Sequence, residues 1–389
     1  MEMKKYLSEK FSATFENEPE RYLSCGGRFE VLGNHTDHNH GVCLAATCDL
    51  CIYGAIKKRE DLTVRLLSEG FGYFEFDLSS LDKNEEEIGK PSALVRGIAK
   101  HLDTDGFKYG GFDLYIKSEI PNGAGVSSSA AFELLIAQAF NLLFNDNAIP
   151  LTDLCIAGQY AEKNYYGKMC GLLDQIGVAF GDLVYIDFKD VSQPIIEKVK
   201  ASFNDYQFVI VNTGGSHAEL SDLYDAIPKD MFAVSDFFGQ SYLRNVDFQD
   251  FLNNKNQIIE KCGLQAYERG THFFNENQRV QQANEALKKN DIPQLIQLMN
   301  DSRKSSTELL HNMYVKKKAG SPLEACELIY KASHKKAGVK INGGGFAGSV
   351  IALVPKDVIK EVVKVSQEKY GKENVHLIKI RSEGPCELL

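Results

Sequence analysis

Apolar and polar positions along the chain predict strands early and helices later. Val42 to Ile56 is a long β-forming run, Leu62 to Leu67 and Phe71 to Leu78 alternate, and Gly111 to Lys117 reads as a further strand. Ser92 to Leu102 predicts a helix. Ala130 to Phe144 carries Phe132, Leu135, Ile136, Ala139, Phe140 and Leu143 at helical spacing and should face a core. Thr152 to Tyr165 predicts another helix, followed by glycine-spaced Gly167 to Gly181 and a strand at Leu183 to Phe188. Periodicity is lost from Val191 to Asp205, which reads as a domain junction. Beyond it, Phe208 to Val211 predicts a buried strand and helical patterns fill Leu220 to Ser333. Strands follow at Val339 to Ile341, Val350 to Leu353 and Val375 to Ile380. The expectation is an α+β chain in two lobes, residues 1–198 and 199–389.

The 389 residues, 43% hydrophobic and 25% charged, suit two domains with a sizeable core. Lys plus Arg is 44 and Asp plus Glu is 53, a net charge of −9. So acidic a chain is a poor general binder of nucleic acid or anionic membranes, which need a cationic surface. The first ten residues hold no apolar core of signal-peptide length, and the longest apolar run is broken by Asp49. With nine cysteines, an odd number, a reducing cytoplasm is the expected location. Small-molecule partners are expected; the sequence leaves the oligomeric state open, with a monomer favoured.

Three glycine-containing clusters carry the candidate chemistry. Pro121 to Ala130 holds Gly123, Ala124, Gly125 and Val126 followed by Ser127, Ser128 and Ser129, after a strand and before a helix. Without side chains at Gly123 and Gly125, backbone amides can approach an anion, and the helix start adds unpaired N–H groups and a positive dipole end. A turn with an ordinary serine cap is the plainer reading, but three serines exceed what a cap needs. No Gly-Lys-Ser/Thr follows, so this is not a Walker A loop. Gly343, Gly345 and Gly348 match Gly-x-Gly-x-x-Gly, yet Ser349 to Val354 reads as a strand where a dinucleotide fingerprint needs a helix. A glycine hairpin packed near backbone or ligand fits better.

Arg28 to Gly41 gathers Asn34, His35, Asp37, His38, Asn39 and His40, short polar groups able to read sugar hydroxyls. Its rivals are a metal site on His35, Asp37, His38 and His40, and a plain solvated loop. Cys43, Cys48 and Cys51 have the C-x4-C-x2-C spacing of some iron–sulfur proteins, but their strand-like surroundings suit buried thiols. Asp174 alone reads as a helix cap as readily as a catalyst.

Taken in order, these clusters resemble the GHMP kinases and, within them, the galactokinase family. Gly27-Arg28, Gly33, His35-Thr36-Asp37 and Asn39 resemble its sugar signature, and Pro121 to Ala130 its nucleotide loop. Glu162 to Gln175 is similar to the stretch with its metal-ligand glutamate and catalytic aspartate, and Gly343 to Gly348 to its third motif. Arg269 to His272, Glu276 to Val280 and Leu298 to Asn300 resemble family helices. The resemblance implies a mixed α/β N-terminal lobe, a ferredoxin-like C-terminal lobe, and ATP-dependent phosphorylation of a sugar, galactose first, at its anomeric hydroxyl. It implies Asp174 and Arg28 as catalytic residues, and Asn34, His35, Asp37, Gly171, Asp174 and Tyr224 at the sugar. It implies Gly123, Ala124, Gly125, Val126, Ser127, Ser128 and Ser129 at ATP, with Ser128 and Glu162 on Mg²⁺. The chain departs from the pattern with Asn34 for the family's glutamate, which reads the 6-hydroxyl, and His38 for its tyrosine. Cys25-Gly26 stands for its Ala-Pro, and Ile227-Pro228 for the arginine pair after Tyr224. A kinase for an amino sugar, uronic acid or other hexose, or a sugar- and ATP-sensing regulator, is the alternative.

Overall fold

The computed structural model describes residues 2–388 apart from 122, 215–219 and 316–319; Asn122 of the expected nucleotide loop lies outside the described residues. The strands in chain order are β1 (Arg21–Leu32), β2 (Val42–Lys58), β3 (Thr63–Ser68), β4 (Gly72–Asp77), β5 (Phe112–Ser118) and β6 (Leu183–Asp187). They continue with β7 (Ile195–Val199), β8 (Tyr206–Asn212), β9 (Gly338–Asn342), β10 (Ser349–Pro355), β11 (Val375–Ile378) and β12 (Cys386–Glu387).

The first sheet runs β12-β1-β2-β5-β3-β4. The long β2 pairs with β1 along one edge and divides the other between β6, at Val42 to Ala46, and β5, at Ile52 to Lys58. Because its first half is buried, it reads as a nearly unbroken apolar run rather than an alternation. The helix Ser128–Phe144 packs onto β1 and β2. Leu135, Ile136, Ala139 and Phe140 of the expected stripe are buried while Phe132 and Leu143 are half-buried, and Leu134 and Ala137 are buried as well, since the helices Pro91–Thr104 and Leu151–Ala161 cover the far side.

Sequence patterning missed β1, whose Cys25-Gly26-Gly27 looks like a loop. Two register shifts against β2, at Gly26/Arg28 and Glu30/Leu32, bend this strand. It also missed β7, half-exposed within the expected junction, and the helices Glu2–Phe15 and Ile359–Tyr370.

The second sheet is fully antiparallel in the order β11-β8-β10-β9. With helices between β8 and β9 and one between β10 and β11, this is the β-α-β-β-α-β ferredoxin-like arrangement. One hydrophobic cluster spans both lobes, while the second lobe keeps clusters of its own around Val209 and Ile329 and around Met231 and Phe273. In the spanning cluster, Phe29 of β1 packs on Phe208 of β8 with ring centroids 4.8 Å apart, and Ile351 and Ile378 join them. The division expected at 198/199 falls inside β7, and the chain end leaves the second lobe to pair β12 with β1. Among the described residues no helix is long and apolar enough to cross a membrane.

Candidate active site between the lobes

Three segments converge where β1 passes the start of the helix Ser128–Phe144. Gly27 drops out of the ladder between the pairs Gly26–Cys51 and Arg28–Thr47, and the Arg28 backbone N–H donates to the Val126 carbonyl (2.8 Å). Arg28 Nη1 donates to the Gly125 carbonyl (2.9 Å), while Nε and Nη2 both reach Asp174 Oδ1 at 2.8 Å. Asp174 lies in the first turn of the helix Leu173–Ala179, and its carboxylate serves Arg28 instead of capping that helix. Ser127 occupies the N-cap position of its own helix with φ of 53°, a left-handed conformation unusual for a residue with a Cβ. Its hydroxyl does not cap the helix but donates to Asp174 Oδ2. The serine is therefore coupled to the aspartate 47 residues away.

Burial alone would raise the Asp174 carboxyl. The Arg28 charge and the hydrogen bonds from Arg28 and Ser127 outweigh it and hold the group below its ordinary value. Asp174 is thus ionised at neutral pH.

Gly125 has φ of +72°, and a Cβ there would collide with the Ser349 hydroxyl. Its carbonyl also accepts from Asn342 Nδ2 (2.8 Å), while Asn342 Oδ1 takes the Glu30 N–H (3.0 Å). The loop is thereby tied to both lobes. Ala124 and Val126 are buried, whereas Gly123, Gly125 and Ser128 are exposed and Ser127 and Ser129 half-buried. The N-terminus of a 17-residue helix consequently opens to solvent beside Asp174.

Glu162, the resemblance-derived metal ligand, is buried on a wide turn, Glu162–Tyr166, and accepts from Gln175 Nε2 (3.2 Å) and Lys168 Nζ (2.6 Å). Gln175 also donates to Glu133 Oε2 (2.8 Å). Glu133 Oε1 and Gln175 Oε1 are buried without a hydrogen-bond partner, and burial and the nearby Glu162 push the Glu133 carboxyl well up. Uncompensated hard oxygens around one carboxylate suit Mg²⁺. No three acidic, histidine or cysteine side chains form a ready metal cage among the described residues. A magnesium ion arriving with nucleotide phosphates needs only one or two carboxylates.

Asp37 lies against Gly171, where a Cβ would strike its carboxylate. Burial first, then the Asp174 charge, raises its carboxyl to about 7. Asn34 and His35 turn to the glycine turn between β9 and β10: Asn34 Nδ2 donates to the Gly343 carbonyl (2.7 Å), and His35 Nε2 lies 2.8 Å from the Gly344 carbonyl. Tyr224, from the helix Ser221–Phe237, donates its hydroxyl to Gly345 (2.5 Å) and sets its ring edge-on to Phe346. The third cluster is thus a hairpin turn, packed against the sugar-signature loop.

Support for that loop was not legible in the sequence. On the helix Leu264–Lys288, buried Glu276 takes the Gly33 N–H (3.0 Å), Ser302 Oγ (2.7 Å) and Arg279 Nε (2.7 Å). Burial opposes its charge, but Arg279, His272 and Lys340 prevail and hold it at about 2. His272 Nε2 bonds the Asn34 carbonyl (2.9 Å). The resemblance places His272 and Glu276 in family helices and their i, i+4 spacing puts them on one face, but neither signal names partners 238 and 243 residues away. As for the rival metal readings, the ring of His40 stacks on Tyr242 at 3.6 Å, away from His35 and His38. Burial pushes the Cys48 thiol up to about 12 and raises Cys43, the reverse of a thiolate ligand.

Comparison with known proteins agrees with this geometry. The model "GHMP kinases N terminal domain" matches residues 93–182, and "Galactokinase galactose-binding signature" matches 9–58. A galactokinase of Lactococcus lactis subsp. lactis (strain IL1403) is 31% identical over 382 residues, 94% of this chain and 90% of that protein. One from Actinobacillus pleuropneumoniae is 29% identical over 381 residues, 96% of this chain and 95% of that protein. The crystal structure of Lactococcus lactis galactokinase complexed with galactose superposes with a TM-score of 0.85 at 27% identity, covering 99% of this chain and 100% of that one. Methanococcus jannaschii mevalonate kinase shares the fold, with a TM-score of 0.65 at 17% identity over 92% of this chain and 98% of that one.

Proposed function

Because the chain belongs to the galactokinase family of the GHMP kinases, we propose that it transfers the terminal phosphoryl group of ATP to the anomeric hydroxyl of D-galactose, yielding galactose 1-phosphate and ADP. The observation that carries this reading is the Arg28–Asp174 pair, held by Ser127 and the Gly125 carbonyl at the mouth of an open helix N-terminus. An aspartate fixed beside a phosphate cradle has its charge where an acceptor hydroxyl must sit for in-line attack.

Phosphoryl transfer through a loose transition state asks the protein mainly for positioning and charge stabilisation. The low basicity of Asp174 suits a carboxylate that orients the hydroxyl and takes its proton late, once the new O–P bond has begun to form. Arg28 keeps that carboxylate charged and lies close enough to offset negative charge on the moving phosphoryl group. Backbone N–H groups from Gly123 to Ser129, apart from that of Ala124, which donates to the Pro121 carbonyl (3.1 Å), receive the nucleotide phosphates. Glu162 and Ser128 would hold Mg²⁺, which when bound neutralises charge on the phosphate oxygens. Asp37, beside Gly171, accepts from sugar hydroxyls.

The test is a panel of sugars assayed for ADP release, with the phosphorylated position identified. Galactose should be the preferred acceptor, labelled at O1. Preference for another sugar, phosphate on another hydroxyl, or binding of ATP and galactose without product would overturn the reading.

A further inference from the structure

We propose that Asn34, His35 and His38 are positioning residues that latch the sugar-signature loop to the glycine turn of the C-terminal lobe, leaving the reading of sugar hydroxyls to Asp37 and Asp174. The kinetic arms of its test rest on the phosphotransfer reading above; its hydrogen-exchange arm rests on geometry alone.

Asn34 is 1% exposed and both polar atoms of its side chain are engaged. Nδ2 donates to the Gly343 carbonyl (2.7 Å), and Oδ1 accepts from Nδ2 of fully buried Asn312 (2.8 Å). The same Asn312 nitrogen donates to the Gly344 carbonyl (3.0 Å). The backbone of Asn34 is held too, its carbonyl by His272 and its N–H by Glu276 (3.4 Å).

The histidines form a chain of one polarity. The Gly344 carbonyl can only accept, so His35 Nε2 carries the proton and His35 Nδ1 is bare. That bare nitrogen accepts from His38 Nε2 (3.4 Å), which leaves His38 Nδ1 bare to accept from Asn39 Nδ2 (3.0 Å). The orientation of Asn39 is fixed independently, because its Oδ1 takes the Leu243 N–H (3.0 Å). Both ends of the chain therefore impose the same direction, and both imidazoles are neutral. Burial agrees, lowering His35 to about 4 and His38 well below its ordinary value. Every ring nitrogen of the two histidines is used within the protein, so none is left for a sugar hydroxyl. Tyr224, donating to Gly345, closes the same turn from a third side.

A direct-ligand role and a latch role make opposite predictions for a carboxylate at position 34. Asn34→Asp would set a carboxylate oxygen against the Gly343 carbonyl, two acceptors with no proton between them. A carboxylate reading a hydroxyl would instead bind it more strongly. Asn34→Asp and Asn312→Asp should each lower kcat/KM for galactose by about 10- to 100-fold, the range for leaving a buried polar group unsatisfied. MgATP affinity should stay within about twofold, since the nucleotide cradle is untouched. The double variant should be no worse than the poorer single one. The ratio of kcat/KM for galactose to that for 6-deoxygalactose should not change in Asn34→Asp, and amide exchange over residues 343–348 should accelerate. His38→Leu, which severs the relay without adding charge, should accelerate the same exchange if the aspartate variants fail to fold. Unchanged exchange, an improved galactose KM, or a shifted 6-deoxygalactose ratio in Asn34→Asp would overturn the latch. A wild-type protein inert toward every sugar would defeat the proposed function, while the exchange measurement would still decide the latch.

Discussion

Replacing Asp174 with asparagine separates chemistry from folding, and the structure sets the size of both effects. Arg28 and Asp174 meet through two nitrogen–oxygen contacts of 2.8 Å. Charge centres about 4 Å apart at an effective dielectric near 20 attract by about 4 kcal/mol, an upper bound. The Asp174 side chain is 28% exposed against 8% for Arg28, so solvent and the cost of desolvation reduce that figure. Asparagine also keeps an oxygen for Arg28, and Ser127 can rotate to accept from the new amide. A stability loss of about 1–3 kcal/mol follows, within reach of a domain that still folds. Turnover should suffer far more. Loss of a positioned proton acceptor costs about 10²- to 10⁴-fold, and the carboxylate's orienting role falls with it. The assay is kcat by coupled ADP release, beside MgATP affinity and a urea midpoint on the same preparation. A variant retaining more than about one-tenth of wild-type kcat would refute the role given to Asp174, because no residual group could supply that rate.

Gly125→Ala combines a positive φ with a collision at Ser349, so MgATP affinity should fall by about tenfold or more, measured by titration calorimetry. Asp37 has a folded value of about 7, above its ordinary 3.8, so its charged form opposes folding. Its contribution to stability is intact below about pH 4 and is lost as pH rises to about 7; thermal melts should show this slope in the wild type and not in Asp37→Asn. Galactose affinity should run the other way and strengthen through about pH 7, as the carboxylate that accepts from hydroxyls forms. Lys340 and Glu30 form a fully buried pair at 2.7 Å joining β9 to β1. Lys340→Met strands the Glu30 charge and should cost about 3–5 kcal/mol in urea unfolding, whereas an unchanged midpoint would show that the pair does not bind the lobes together.

What the sequence determined by itself was local. The apolar run from Val42, the helical spacing after Ala130, and glycines followed by serines at 123–129 each depend on neighbours a few residues apart; the first two appear as β2 and the helix Ser128–Phe144, and the third as the loop that leads into that helix. Motif order added the family and the pair Arg28 and Asp174, though not their contact across 146 residues. The strand β1 escaped because its bulges and glycines hide its period, and β7 because a half-exposed edge strand needs little apolar sequence. Tertiary structure decided the rest. Whether Ser127 caps its helix or holds Asp174 depends on where Asp174 arrives. Whether Asn34 faces a sugar or the Gly343 carbonyl depends on a hairpin more than 300 residues later. Short polar side chains are equally fit for several partners, and burial at the junction of the two lobes selects one, because a polar group cut off from water must bond whatever the fold places beside it.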